Sequence, residues 1–275
     1  MSESQRFGHF WTIQKLDAVE KYLQFYTTAL KQQSFKLCYI DAFSGSGNVT
    51  LKDGQAIDGS AIRALKYPFD QYYFFEKDKK FYGALKEKIH TSFADKEHKI
   101  KLIQGDCNEL LQGIDKYAWV TNKWRGVIFL DPYAMDLSWS CLENISKTKA
   151  FDVWYLFPFS AVNRNLQNKG EIRQANENTL SKIFGASDWK DKIYSESLQQ
   201  SFFDEPNLEK ASVDGLKEYI LNRLKETFST VAPNPALLKN AKNSPLFLLC
   251  FAMSNPGKSA IELSLKGANH ILKHI

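Results

Sequence analysis

The chain has 275 residues, 44% of them hydrophobic and 14% aromatic, spread along the whole length, which excludes a disordered or collagen-like polypeptide and predicts one large core. Its 36 lysines and arginines against 31 aspartates and glutamates leave a net charge of only +5, far from the basic surface of a dedicated nucleic-acid binder. No apolar run approaches the roughly 20 residues of a membrane span, and MSESQRFGHF at the start lacks a signal peptide's apolar segment, so the expected location is cytoplasmic, with no membrane contact.

In chain order, Thr12 is the predicted N-cap of a first helix whose apolar face is Leu16, Val19, Leu23, Tyr26 and Leu30. Strands are predicted at 37–43, 72–76, 99–103, 126–131 and 151–157, each a short apolar run. Between them fall helical patterns: Phe81, Leu85 and Ile89 after the cap Asp78, then Leu110, Leu111 and Ile114 after Asn108, then Leu142 and Ile145 after the cap Ser138. Alternating strands and helices predict an α/β fold, a Rossmann-like, doubly wound, mostly parallel sheet. Residues 160–243 turn polar, with one clear amphipathic helix (Leu216, Ile220, Leu224, Phe228). They read as an α-rich insertion within a single domain of residues 1–275, serving as a lid or as a surface for substrate or partner. A strand at 245–253 and a helix to about 273 close the chain.

Cys38, Cys107, Cys141 and Cys250 are too far apart in sequence for a CxxC pair, and His270 and His274 have no third ligand nearby, so no metal site is expected. The informative stretch is Tyr39-Ile40-Asp41-Ala42-Phe43-Ser44-Gly45-Ser46-Gly47, a strand ending in an acid and opening into a glycine loop whose N–H groups suit a polar ligand. Glu76 ends the second strand, Asp106 follows the third and Asp131 ends the fourth, all on the rim where open α/β sheets bind ligands. Glu76 suits a pair of ribose hydroxyls and Asp106 an adenine amine, although each acid alone also fits a helix cap. A nicotinamide dinucleotide asks for GxGxxG and an acid about 20 residues on. Thr50 replaces the third glycine and Glu76 lies farther away, which favours S-adenosylmethionine (SAM) over NAD. The stretch Ala252 to Ser259 loosely imitates a phosphate-binding loop, but its first glycine is missing and Pro256 removes an N–H.

Leu130-Asp131-Pro132-Tyr133 is similar to the Asp-Pro-Pro-Tyr signature of amino-group methyltransferases acting on nucleic-acid bases, one proline short. In that chemistry the acid and a neighbouring carbonyl accept from the NH2 group, the aromatic stacks on the base, and the nitrogen lone pair is aimed at the methyl.

Phe7-Gly8-x-x-Trp11-Thr12-x-x-Lys15-Leu16, the Tyr39–Gly47 stretch, Asp58-Gly59-Ser60, Asp131-Pro132-Tyr133 with Trp139, Leu156-Phe157-Pro158 with Asn163-Arg164, and Ser254-Asn255-Pro256 together resemble the three-Cys-motif partner protein (TcmP) family. The likeness spans nearly the full length and is weakest within about 165–240. It implies a class I SAM-dependent methyltransferase-like fold and a three-Cys-motif, radical-SAM-like protein as partner. The expected roles are cofactor binding for Asp41, Phe43, Ser44, Gly45, Gly47, Glu76 and Asp106, and catalysis for Asp131, Pro132 and Tyr133. Asn163 and Arg164 are expected to bind substrate, which is a nucleic-acid base or nucleotide. The alternative is a non-catalytic subunit of the same fold that docks the partner.

Overall fold

A computed structural model describes residues 10–51, 54–167, 172–196 and 208–275. Phe7 and Gly8 of the family-like motif, and Phe202 and Phe203 of the polar segment, lie outside these residues.

Helix α1 (Phe10–Leu30) comes first. Thr12 lies inside it rather than capping it. Its Leu16, Val19, Leu23 and Tyr26 are buried at helical spacing, as the sequence predicts. Strand β1 (Lys36–Asp41) leads into a hairpin of β2 (Asn48–Thr50) and β3 (Ala56–Asp58) and the short helix α2 (Ser60–Ala64). Then follow β4 (Gln71–Glu76), α3 (Lys79–Ser92), β5 (Ile100–Gln104), α4 (Cys107–Leu110), β6 (Trp124–Leu130), α5 (Trp139–Lys147) and β7 (Phe151–Phe157). The polar segment holds α6 (Phe159–Asn165), α7 (Gln174–Phe184), α8 (Trp189–Ile193), the paired strands β8 (Tyr194–Glu196) and β9 (Leu208–Lys210), and α9 (Val213–Thr227). Strands β10 (Thr230–Val231), β11 (Ala236–Lys239) and β12 (Pro245–Met253) precede the last helix, α10 (Lys258–Lys273).

The main sheet runs β10-β12-β7-β6-β1-β4-β5, with β11 also paired to β12. Strands β5, β4, β1, β6 and β7 are parallel and β12 is antiparallel to β7. The order therefore reverses at β1, which has β4 on one side and β6 on the other. Side chains alternate between two cores: Cys38 and Ile40, Ile128 and Leu130, Val153 and Tyr155 face α5, α7 and α9. Tyr39, Val127, Phe129, Trp154 and Leu156 face α1, α2 and α10. Strands covered on both faces read as unbroken apolar runs, which is why the sequence reveals them.

Four further expectations need correction. Residues 230–239 are not part of a helical insertion, because β10 and β11 pair with β12 and extend the sheet. The helix expected after Asn108 starts earlier and is short: Asp106 is its cap, accepting from the Asn108 N–H at 2.9 Å. The cap Ser138 precedes α5 without a side-chain cap bond. Phe81, on the predicted apolar face, is 49% exposed, because the fully buried residues of α3 are Leu85 and Ile89.

Candidate functional site

Where the strand order reverses, the carboxyl ends of β1, β4, β5 and β6 open into a cavity of about 860 Å³. Its floor carries Gly45 from the loop after β1, Glu76 at the end of β4, Asp106 after β5, and Asp131, Pro132 and Tyr133 after β6. The opposite wall is Trp11 and Lys15 of α1 together with Phe247 of β12, and the Trp11 and Phe247 rings lie 4.8 Å apart.

The loop after β1 is fixed by backbone. Ser44 donates from its N–H to the Phe75 carbonyl at 2.9 Å, and its hydroxyl lies 3.0 Å from the same oxygen. Ser44 is thus buried as a tie to β4 and does not line the cavity. Gly45 has φ +61 and nothing within 4 Å of where a Cβ would stand, so that side of the loop adjoins open space, while its N–H is taken up by Glu76. Gly47 (φ +81) serves packing instead: a Cβ there would lie 2.9 Å from Leu85 Cδ1. Phe43 lines the cavity, whereas Asp41 does not.

Asp41 is fully buried behind the loop, accepting from the Phe43 N–H and the Tyr39 hydroxyl, each at 3.3 Å. Burial pushes its pKa up to about 7, with the Asp131 charge adding to the rise and a hydrogen bond from Ser60 opposing it.

The carboxylate of Glu76 accepts from two main-chain donors, Gly45 N at 2.8 Å and Asp78 N at 2.7 Å. Asp78 in turn caps α3, accepting from the N–H groups of Lys80 and Phe81. The Lys77 ammonium donates to Asp106 at 2.8 Å, and this bond, with two from Asn108, holds the Asp106 carboxyl down at about 2 against its partial desolvation. Asn108 also donates to the Asp136 carbonyl at 2.8 Å and accepts from the Ser138 N–H at 2.8 Å. One side chain therefore ties the loop after β5 to the loop after β6.

On the β6 side, Lys15 Nζ lies 2.5 Å from Asp131 Oδ2 and 5.1 Å from the Trp11 ring centroid. Lys15 is only 8% exposed. Tyr133 is 84% exposed at the mouth, on a turn where Ala134 takes φ +52. Asn163 and Arg164 lie on α6 and are not among the cavity-lining residues; Arg164 is exposed, and the Asn163 carbonyl accepts from Lys210 at 3.2 Å.

Sequence reasoning about individual site residues missed Lys15, Phe247, Lys77, Asn108 and Phe81. A signal existed for Lys15: it lies four and seven positions before Val19 and Tyr22, on the buried stripe of α1, where a lysine needs a partner.

The order of the sheet, its antiparallel β12 and the ligand-facing reversal at β1 make this a Rossmann-like, class I methyltransferase-type fold. No family model matches the chain, and no protein of curated function is similar enough to count as a relative. Among solved structures, protein LPL1258 of Legionella pneumophila strain Philadelphia 1 superposes with a TM-score of 0.52 at 14% identity, covering 96% of this chain and 93% of that one. The methyltransferase domain of bacterial CtHen1-C aligns at 0.41 and 12% identity over 86% and 98% of the two chains. Trm1 from Pyrococcus horikoshii, solved with S-adenosyl-L-methionine, aligns at 0.39 and 12% over 94% and 75%. The first of these likenesses is one of fold. No helix among the described residues is long and apolar enough to cross a membrane.

Proposed function

We propose that this chain is a SAM-dependent methyltransferase whose acceptor is an amino group of a nucleic-acid base or nucleotide. The observation that carries the reading is the convergence, in one cavity, of Gly45, Glu76 and Asp106 on one side with Asp131, Pro132 and the exposed Tyr133 on the other. The first set fits the cofactor. Glu76, fixed by two N–H groups, keeps lone pairs for ribose hydroxyls, the loop at Gly45 adjoins open space, and Asp106 is an ionised acceptor for an exocyclic amine. When bound, SAM supplies an electrophilic methyl on a sulfonium. Phe81 and Phe43 give this half of the cavity apolar surface for the adenine.

On the acceptor side, Asp131 accepts from the NH2 group with the oxygen that Lys15 leaves free, and the carbonyl beside Pro132 is a second acceptor. Tyr133 offers its ring to the base, a contact worth about 1–3 kcal/mol. Lys15 holds the Asp131 carboxyl in place, so it is a positioning residue. Transfer would break the sulfonium S–CH3 bond, leaving the thioether S-adenosylhomocysteine, and the surplus proton on the methylated nitrogen would leave through the Asp131 carboxylate to water. Asp41 and Ser44 support the cofactor loop from behind. Arg164 is assigned to an acceptor extending beyond the cavity, where its guanidinium suits a phosphate.

The test is calorimetric titration with SAM, NAD in parallel and Glu76→Ala as control, followed by labelled methyl transfer to nucleotides and RNA. Saturable SAM binding weakened by the substitution is expected. Preference for NAD, or no SAM binding, would overturn the reading.

The second reading is a non-catalytic subunit that docks a three-Cys-motif, radical-SAM-like protein of the kind the TcmP-like motifs imply. What favours it is the Lys15–Asp131 pair, which leaves Asp131 a single free oxygen. Residues 160–243 would then supply the docking surface. Copurification with such a protein, with no methyl transfer by this chain alone, supports this reading.

A further inference from the structure

A second cavity, of about 290 Å³, opens at the other end of the sheet, between the last turns of α1 and the start of α10. Its volume is at the lower end of small-molecule sites, roughly 300 Å³. Phe25, Tyr26 and Phe35 give it aromatic walls, and Asp152 of β7 lies inside it. Asp152 is 3% exposed, and both of its donors reach the same oxygen: the Tyr22 hydroxyl at 2.6 Å and the Ser264 hydroxyl at 3.0 Å both bond Oδ2. Among the described residues no donor reaches Oδ1, and no lysine, arginine or histidine stands within ion-pair distance.

Among the described residues, the one cation lining this cavity does not pair with Asp152. Arg125 lines the same cavity, but its Nη1 donates to the Trp124 carbonyl at 2.8 Å and its guanidinium lies 4.8 Å from the Phe35 ring centroid. Burial raises the Asp152 pKa to about 6, against the opposing bonds from Tyr22 and Ser264 and the Arg125 charge. At neutral pH the carboxylate is then mostly ionised inside an aromatic-walled space, an arrangement that favours an incoming cation over bulk solvation.

The geometry points to a second ligand site here, for a small organic cation: a primary amine or amidine donating to Asp152 Oδ1, with an apolar or aromatic body against Phe25, Tyr26 and Phe35. Donor and rings are complementary to the two halves of such a molecule, the rings adding cation–π attraction as well as contact. The site is separate from the larger cavity and does not depend on the methyltransferase reading.

Calorimetric titration of the full chain with benzamidine and 2-phenylethylamine, at mildly alkaline pH, tests this, with benzyl alcohol as the uncharged control. The expected result is saturable binding of the cations with a dissociation constant at or below about 1 mM, weakened at least tenfold by Asp152→Asn. Benzyl alcohol should not bind, and SAM should not compete. Ala29→Trp, which fills the cavity from its α1 wall and leaves Asp152 unchanged, should abolish binding as well, and it carries the test if Asp152→Asn does not fold. The inference is overturned if neither cation saturates, if both variants bind as the parent does, or if SAM displaces the probes.

Discussion

The two halves of the large cavity are held by different means. On the β4–β5 side, Glu76 is gripped by two main-chain N–H groups, and Asp106 by the N–H of its own helix start together with the neighbouring Lys77 and Asn108 side chains, so these acids are set largely by local backbone and near-sequence contacts. On the β6 side, Asp131 is held by Lys15, a side chain from a helix far away in sequence, and Tyr133 stands almost free. Backbone donors cost no side-chain entropy to position, whereas a lysine has four rotatable bonds to freeze. The first half is therefore rigid and the second adjustable, which suits a common cofactor on one side and a particular acceptor on the other.

Substitutions that act on one half alone separate these roles. On the methyltransferase reading, the largest effect is expected from Asp131→Ala: methyl transfer should fall about a thousandfold, with SAM affinity changed less than about threefold by calorimetry. Next is Glu76→Ala, which removes a charged acceptor worth about 2 kcal/mol and should weaken SAM about thirtyfold while leaving the acceptor's KM near the parent value. Tyr133→Ala should do the converse, raising the acceptor's KM about tenfold with SAM binding intact. If both of these variants changed both ligands equally, the division between halves would fail.

The smallest effect concerns stability. With its folded pKa near 7, Asp41 holds a proton in the native state that the unfolded chain releases near pH 4. The stability gained from that proton is complete below pH 4 and drains away as pH rises through 7. Asp152, raised to about 6, acts in the same direction. Asp41→Asn should therefore melt higher than the parent at mildly alkaline pH, by on the order of 1–3 kcal/mol, with the gain fading toward pH 4. Thermal melts across that range check the sign.

The sheet was legible in the sequence because β1, β6, β7 and β12 are buried on both faces and leave continuous apolar runs. The hairpin β2–β3 was not, since three-residue strands of mixed polarity leave no pattern to detect. Asp106 is legible as an acid on the rim that also fits a helix cap, but the helical pattern is expected only after Asn108, two residues on. Local spacing does not say which of two capping residues starts the turn, and the Lys77 contact that settles Asp106 comes from another strand's end. Asp41, Ser44 and Gly47 were read as ligand contacts because sequence shows proximity to the loop and not which side of it faces the cavity. Lys15 needed the tertiary contact between α1 and β6 before its partner was visible.

Asn108 has a thermodynamic consequence. It bonds Asp106 with its N–H and amide nitrogen while bracing the Asp136 carbonyl and the Ser138 N–H. A ligand that draws on Asp106 thus acts, through this one amide, on the loop that carries Tyr133. On the methyltransferase reading, the two ligands are energetically coupled, and linkage makes the coupling reciprocal: the factor by which SAM tightens the acceptor is the factor by which the acceptor tightens SAM. Asn108→Ala would lower that common factor toward one, turning cooperative loading of the cavity into independent loading of its two halves.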